Sequence, residues 1–292
     1  MAIFTETARA KVNLTLKVVG KRSDGYHALE SLVAFAEAPA DAVTLDLAAP
    51  AGVTVIGPGA AAIVGENLIV RAIDKALAAE PRLRAGAITL DKHLPVAAGV
   101  GGGSADAAAT LRALQRANPD VAAGVDWPGI ALSLGADVPV CIASKPAFMW
   151  GIGQRIAYLP GLPALPAVIV NPLAPVPADK TAQVFRRLGA ARIAEGADEH
   201  AKLPGPFADA AGLVAYMRSV GNDLEPPAIG VVPKIGDVKA ALAASDGCLL
   251  AQLSGGGPTC IGIYASEDGA ARAAAALKAS HPNWWIAATV LS

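Results

Sequence analysis

Gly99, Gly101, Gly102 and Gly103 crowd one loop, Pro95-Val96-Ala97-Ala98-Gly99-Val100-Gly101-Gly102-Gly103-Ser104-Ala105, which is the part of this chain best suited to chemistry. Glycine lets the backbone turn sharply and brings unhindered N–H groups close to a ligand. Ser104 can cap a helix running to about residue 117, and a helix start adds free donors and the positive end of a dipole. Together these suit a phosphate group. No lysine follows the glycines as a Walker A loop needs, and counting from Gly99 or Gly101 puts Ser104 or Asp106 in the third slot of a G-x-G-x-x-G fingerprint. If the ligand is a phosphoryl donor, the acceptor oxygen must be aligned and its proton taken. Asp137 stands in the otherwise apolar Gly135-Ala136-Asp137-Val138-Pro139, where a carboxylate must be paired or hydrogen-bonded. By itself it reads equally well as a turn or helix-cap residue.

These residues need elements to hold them. Over residues 11–18 Lys11, Asn13, Thr15 and Lys17 alternate with Val12, Leu14, Leu16 and Val18, predicting a strand with one polar and one buried side. Lys11 alone would be an ordinary surface lysine; Asn13 shares its face. Tyr26 and His27 follow a Ser23-Asp24-Gly25 turn. Short strands are predicted at 43–47, 53–56 and 87–91, and a helix at 66–79, from Glu66, with Ile69, Ile73 and Leu77 at four-residue steps. Asn67 at that start reads as a cap or a ligand contact. A proline-rich stretch, 160–177, enclosing a buried strand at 167–170, is the natural boundary between two α+β domains, 1–160 and 161–292. Beyond it helices are predicted at 181–188, 208–220 and 232–244, then strands at 248–253 and 259–264, a helix at 267–279 and a strand at 284–290. Thr181 and Phe185 lie one helical turn apart, as helix start and core or as part of a pocket.

Of the 292 residues 53% are hydrophobic and 17% charged, with a formal net charge of −1, so a large core is easy to build and nothing basic awaits a nucleic acid or an anionic membrane. The charge-free stretches 47–65 and 156–178 are broken by prolines and cannot form spanning helices. The first residues lack the basic start and apolar core of a signal peptide. Cys141, Cys248 and Cys260 are odd in number and contain no C-x-x-C pair, which predicts reduced thiols and a cytoplasmic, soluble protein. His93, His200 and His281 show no metal-ligand spacing.

The loop P-x-x-x-G-V-G-G-G-S-A-D-A-A resembles the phosphate-binding signature of the GHMP kinases. Three further segments resemble that family in the same order: Ala10-Lys11-Val12-Asn13-Leu14 with Gly20-Lys21-Arg22-Ser23-Asp24-Gly25-Tyr26-His27, the Asp137 segment, and Leu253-Ser254-Gly255-Gly256-Gly257-Pro258-Thr259-Cys260. Gly256 stands where the pattern usually has serine. The D-G-Y-H stretch resembles the branch whose acceptor is 4-diphosphocytidyl-2-C-methyl-D-erythritol, of non-mevalonate isoprenoid precursor biosynthesis. The resemblance implies a two-domain α+β fold with the active site in the inter-domain cleft and ATP-dependent phosphorylation of the acceptor's 2-hydroxyl. It implies ATP held by residues 95–105 with Asn67 near the adenine, and Mg2+ carried in with ATP. Asp137 is then the general base, paired with Lys11. Asn13, Tyr26 and His27 hold the substrate, with Thr181 and Phe185 completing its pocket. Small molecules are the partners so implied; monomer and homodimer both remain open.

Overall fold

The computed structural model describes residues 2–63, 65 and 67–292; Glu66, where the first helix was predicted to begin, lies outside these residues, as do Met1 and Val64. The first part of the chain runs β1 (Ile3–Asn13), β2 (Lys17–Lys21), β3 (His27–Asp46), β4 (Gly52–Ile56), α1 (Leu68–Ala79), β5 (Ala87–Asp91), α2 (Gly102–Ala117), α3 (Pro119–Ala122), α4 (Trp127–Leu134) and α5 (Val138–Ala143). It continues with β6 (Ala147–Gly151), β7 (Arg155–Tyr158), β8 (Leu165–Asn171), α6 (Lys180–Leu188), α7 (Ala210–Val220), α8 (Glu225–Val231), α9 (Lys234–Ala244), β9 (Cys248–Leu253), β10 (Cys260–Tyr264), α10 (Glu267–Ser280) and β11 (Trp285–Leu291). These elements form two compact units, and no helix among the described residues is long and apolar enough to cross a membrane.

The first unit comprises Met1–Lys11, Pro39–Ala97 and Gly101–Ser144. In its sheet β5 lies between β4, parallel to it, and the second half of β3, antiparallel to it, and β1 also pairs with β3. The four helices α1, α2, α4 and α5 pack on one another. Asn67 caps α1, its Oδ1 accepting the Ile69 N–H at 3.0 Å, and Ile69, Ala72 and Ala76 form the buried face. Helix α2 starts two residues before the predicted cap Ser104. Gly101, at φ 63°, takes the N-cap position and its carbonyl accepts the Ala105 N–H at 2.8 Å, which places Ser104 inside the first turn. Residues 105–111 of α2 are buried without interruption, and the four alanines among them let neighbouring elements pack closely on this helix.

The second unit comprises Val12–Ala38, Ala98–Val100 and Lys145–Ser292. Four antiparallel strands run β9–β10–β8–β11, with Ile261 opposite Ile169 and Ile286 opposite Val170. Helix α9 packs on β9 and β10, and α10 on β8 and β11. The first half of β3 pairs with β2 and with the β6–β7 hairpin. The single strand read over 11–18 is two, since β1 ends at Asn13 and β2 begins at Lys17. Its supposed polar face is also covered, as Lys11, Asn13 and Thr15 are all buried. Alternation marks the faces of a strand but not whether protein or water lies against each.

Candidate active site

Within the first unit, three elements bring together the glycine turn, a lysine and a carboxylate. Lys11 is 3% exposed near the end of β1, and its Nζ lies 3.2 Å from Asp137 Oδ1, whose side chain is 43% exposed. Asp137 occupies the N-cap position of α5 but its side chain caps no N–H there. Its carboxylate thus stays available to solvent and the lysine. A Cβ placed on Gly101 would lie 3.2 Å from Lys11 Cβ and 3.4 Å from its Cε, so the lysine stem runs directly beside the left-handed turn that opens α2.

Arg112, in the middle of α2, holds this arrangement. Its guanidinium donates to Glu6 Oε2 at 2.8 Å and the Thr7 carbonyl at 2.6 Å on β1, and to the Cys141 and Ile142 carbonyls on α5 at 3.0 and 3.3 Å. One planar fork therefore ties the strand of Lys11 and the helix of Asp137 to the helix of the glycine turn. Burial works against ionising Glu6, but its bonds to Arg112 and Arg116 win and hold its carboxyl below the usual range. Nearby Cys141 is fully buried, and burial pushes its thiol up to about 12, so it is no nucleophile.

Beneath the turn Lys92 bridges two buried carboxylates, Asp41 and Asp106. Burial lowers the tendency of Lys92 to hold its proton, but the two carboxylates more than reverse this and its pKa is raised. Asp106 is pushed up to about 7, chiefly by burial and secondly by Asp41, against the pull of Lys92.

In the second unit the middle of the loop, residues 98–100, is held by the turn after β9. Thr259 N–H donates to the Ala98 carbonyl at 3.1 Å, and Ser254 Oγ to the Gly99 carbonyl at 3.3 Å. Ser254 Oγ also accepts the Asn13 N–H at 3.1 Å, while Asn13 Nδ2 donates to Ser31 Oγ at 2.8 Å. Lys180, at the start of α6, is buried and donates to the carbonyls of Gly256 and Gly257. Burial lowers its pKa.

The same unit contains an open cavity of about 860 Å³, within the range of small-molecule sites. Tyr26, His27, Thr181 and Phe185 line it, with Lys21 and Arg186. His27 and Phe185 stack with centroids 4.4 Å apart and planes 19° from parallel. Burial, and then the charge of Lys21, hold His27 below the ordinary histidine range. Near neutral pH its ring therefore offers one N–H donor and one acceptor. Tyr26 is 62% exposed at the tip of the β2–β3 hairpin.

Two family models match the chain, GHMP kinases N terminal domain over residues 67–145 and GHMP kinases C terminal over residues 205–283. A curated relative from Rhodopseudomonas palustris, 4-diphosphocytidyl-2-C-methyl-D-erythritol kinase, is 50% identical over 297 residues, covering 98% of this chain and 97% of its own. A relative of the same name from Parvibaculum lavamentivorans is 49% identical over 286 residues, with 97% and 96% covered. A crystal structure of 4-(cytidine 5'-diphospho)-2C-methyl-D-erythritol kinase superposes with a TM-score of 0.76 at 34% identity, covering 99% of each chain. The chain belongs to the GHMP kinases. Its full-length relatives place it on the 4-diphosphocytidyl-2-C-methyl-D-erythritol kinase branch, and membership implies ATP as the phosphoryl donor.

In this GHMP kinase the residues singled out from sequence fall into two groups. Lys11, Asp137 and Gly101 adjoin one another in the first unit, where Gly102, Gly103, Ser104 and Ala105 form the opening turn of α2 and Asn67 caps α1. Asn13, Tyr26, His27, Thr181 and Phe185 lie in the second unit, the last four around its cavity. Lys92, Asp41, Arg112 and Lys180 were not anticipated. Each is a charged residue that sequence reading assigns to the surface, and their partners stand between 14 and 106 positions away.

Proposed function

We propose that this kinase transfers the γ-phosphoryl group of MgATP to the 2-hydroxyl of 4-diphosphocytidyl-2-C-methyl-D-erythritol, a step in non-mevalonate isoprenoid precursor biosynthesis. The observation that carries the mechanism is the contact of Lys11 with both Asp137 and Gly101, which joins a carboxylate to an anion-binding helix start. In this reading Pro95, Val96, Ala97, Ala98, Gly99, Val100 and the Gly101 to Ala105 turn cradle the phosphates with main-chain N–H groups. Asp137 takes the hydroxyl proton as the phosphoryl group leaves ADP, and Lys11 orients the carboxylate and polarises the hydroxyl. Mg2+ enters as part of the nucleotide substrate, held by phosphate oxygens and water. Asn67 Nδ2 is buried without a hydrogen-bond partner among the described residues, a donor that an adenine nitrogen would satisfy.

The acceptor's cytidine fits the cavity of the second unit. His27 presents a donor and an acceptor to a base edge, Phe185 fixes the imidazole by stacking, and Tyr26 is an exposed ring available to cover the pyrimidine. Asn13 and Thr181 supply hydrogen bonds toward the erythritol chain and diphosphate. A coupled assay for ADP, run with the cytidyl acceptor, with homoserine and with mevalonate, tests the reading. Turnover that depends on the cytidine group supports it; equal turnover on homoserine sinks it. Phe185→Ala should raise the acceptor KM about tenfold, the scale of a lost aromatic pair plus its packing, and leave the ATP KM within about twofold. Steady-state kinetics with each substrate varied checks this.

A further inference from the structure

Lys92, Asp41 and Asp106 lie buried at the point where the glycine loop both leaves the sheet and enters α2. Lys92 Nζ donates to Asp41 Oδ2 at 2.5 Å and to Asp106 Oδ2 at 2.6 Å, and each of the three residues is no more than 2% exposed. The other oxygen of Asp41 accepts the main-chain N–H groups of His93 at 2.6 Å and Leu94 at 2.8 Å, the residues that lead from β5 into the loop. Asp106 belongs to the opening turns of α2, where the loop ends. A Cβ placed on Gly102 would lie 3.2 Å from Lys92 Nζ, so the ammonium sits directly under the first helical residue.

Both ends of the loop are therefore fastened to one ammonium. Between them Ala97, Gly99 and Gly101 all have positive φ, at 54°, 77° and 63°, and an alanine there is a strained residue that its surroundings must hold in place. Apolar side chains of similar volume would stabilise a core as well as a buried ionic set does, because desolvating each charge costs several kcal/mol. Hydrogen bonds of fixed direction add what apolar packing lacks, a defined position for each attached backbone group. We propose that Lys92, Asp41 and Asp106 are positioning residues for the phosphate loop, holding the main-chain N–H groups that lead into it and the helix turn that ends it at the spacing a triphosphate requires. The inference rests on the phosphate reading of the loop given above. Asp106 Oδ1 has no hydrogen-bond partner among the described residues, so this is the member whose charge can be removed while its bond to Lys92 is kept.

The experiment compares dissociation constants for ATP and for the cytidyl acceptor, with amide hydrogen exchange over residues 93–104. The variants are Lys92→Met, Asp106→Leu, Asp106→Asn and the neutral, nearly isosteric triple Asp41→Asn/Lys92→Met/Asp106→Asn. The triple carries no unpaired buried charge, which keeps the test decisive where Lys92→Met alone unfolds. In Lys92→Met, Asp106→Leu and the triple, ATP binding should weaken roughly tenfold or more, while acceptor binding stays within about twofold and the loop amides exchange faster. Asp106→Asn, which retains an acceptor for Lys92, should bind ATP within about threefold of the parent protein. The inference is overturned if the folded triple variant binds ATP as the parent does, or if both ligands weaken together. A parent protein that binds no ATP would instead refute the phosphate reading itself.

Discussion

Asp137→Asn should lower kcat by about 10²–10⁴-fold, the usual worth of a positioned general base, with the ATP KM within about twofold of the parent value. Asparagine has the shape of aspartate and can still accept from Lys11 Nζ, now 3.2 Å from the carboxylate, but it cannot take a proton. The competing account of Asp137 is structural, as a helix cap whose loss would loosen α5. The side chain makes no cap bond to α5, so the substitution should leave Tm almost unchanged. Single-turnover rates and a thermal melt on the same sample separate the two. Undiminished turnover would sink the role of base, and a large drop in Tm would return the residue to the structural account.

The parts of the fold legible in the sequence are those where local pattern and burial agree. Helix α1 is legible from Ile69, Ile73 and Leu77 at four-residue steps, of which Ile69 is buried and the other two half-buried beside Ala72 and Ala76, and the β9, β10, α10, β11 order emerges from apolar runs separated by glycine and polar turns. The GHMP kinase family was likewise legible, because its glycine-rich segments are contiguous in sequence. The 20-residue strand β3 was not, since only its last residues were read as extended. Pro39 lies inside it, between the stretch paired with β6 and the stretch paired with β5, and a proline within a run argues against reading that run as one strand. The start of α2 differs from the expected one for a different reason. Ser104 has the chemistry of a cap, but Gly101 can adopt the left-handed backbone that ends the loop, and this moved the first turn forward.

The site divides in the same way. A loop of glycines announces itself, while ion pairs across the fold do not. Asp41 is 51 residues from Lys92, and Arg112 is 106 residues from Glu6. Nothing in the neighbourhood of Lys92, which follows an alternating strand, distinguishes it from a lysine in water; only its partners do. Lys180 is hidden by its position as the first residue of an amphipathic helix, where a charged side chain is ordinarily solvated.

Gly99→Ala should raise the ATP KM by roughly 10–100-fold, through displacement of a loop segment whose neighbours cannot retreat. Gly99 has φ 77°, which costs a residue with a Cβ about 1–2 kcal/mol before any contact is considered. The added methyl would also lie 2.7 Å from the Gly257 carbonyl oxygen and 3.0 Å from its carbon. That carbonyl is pinned, because Lys180 donates to it and the Gly257 N–H is bonded to the Ser254 carbonyl at 3.0 Å. The strain must then be relieved by residues 98–100, loosening the bonds from Ser254 and Thr259 that hold them. Gly247→Ala is the matched control, with φ 74° and nothing within 4 Å of its Cβ, so it carries the backbone cost without the collision. The control should lose about 1–2 kcal/mol of stability and keep the parent ATP KM. If both variants show the same kinetics, contact with the Gly257 turn has no part in shaping the phosphate loop, and the close approach of two glycine backbones there serves packing alone.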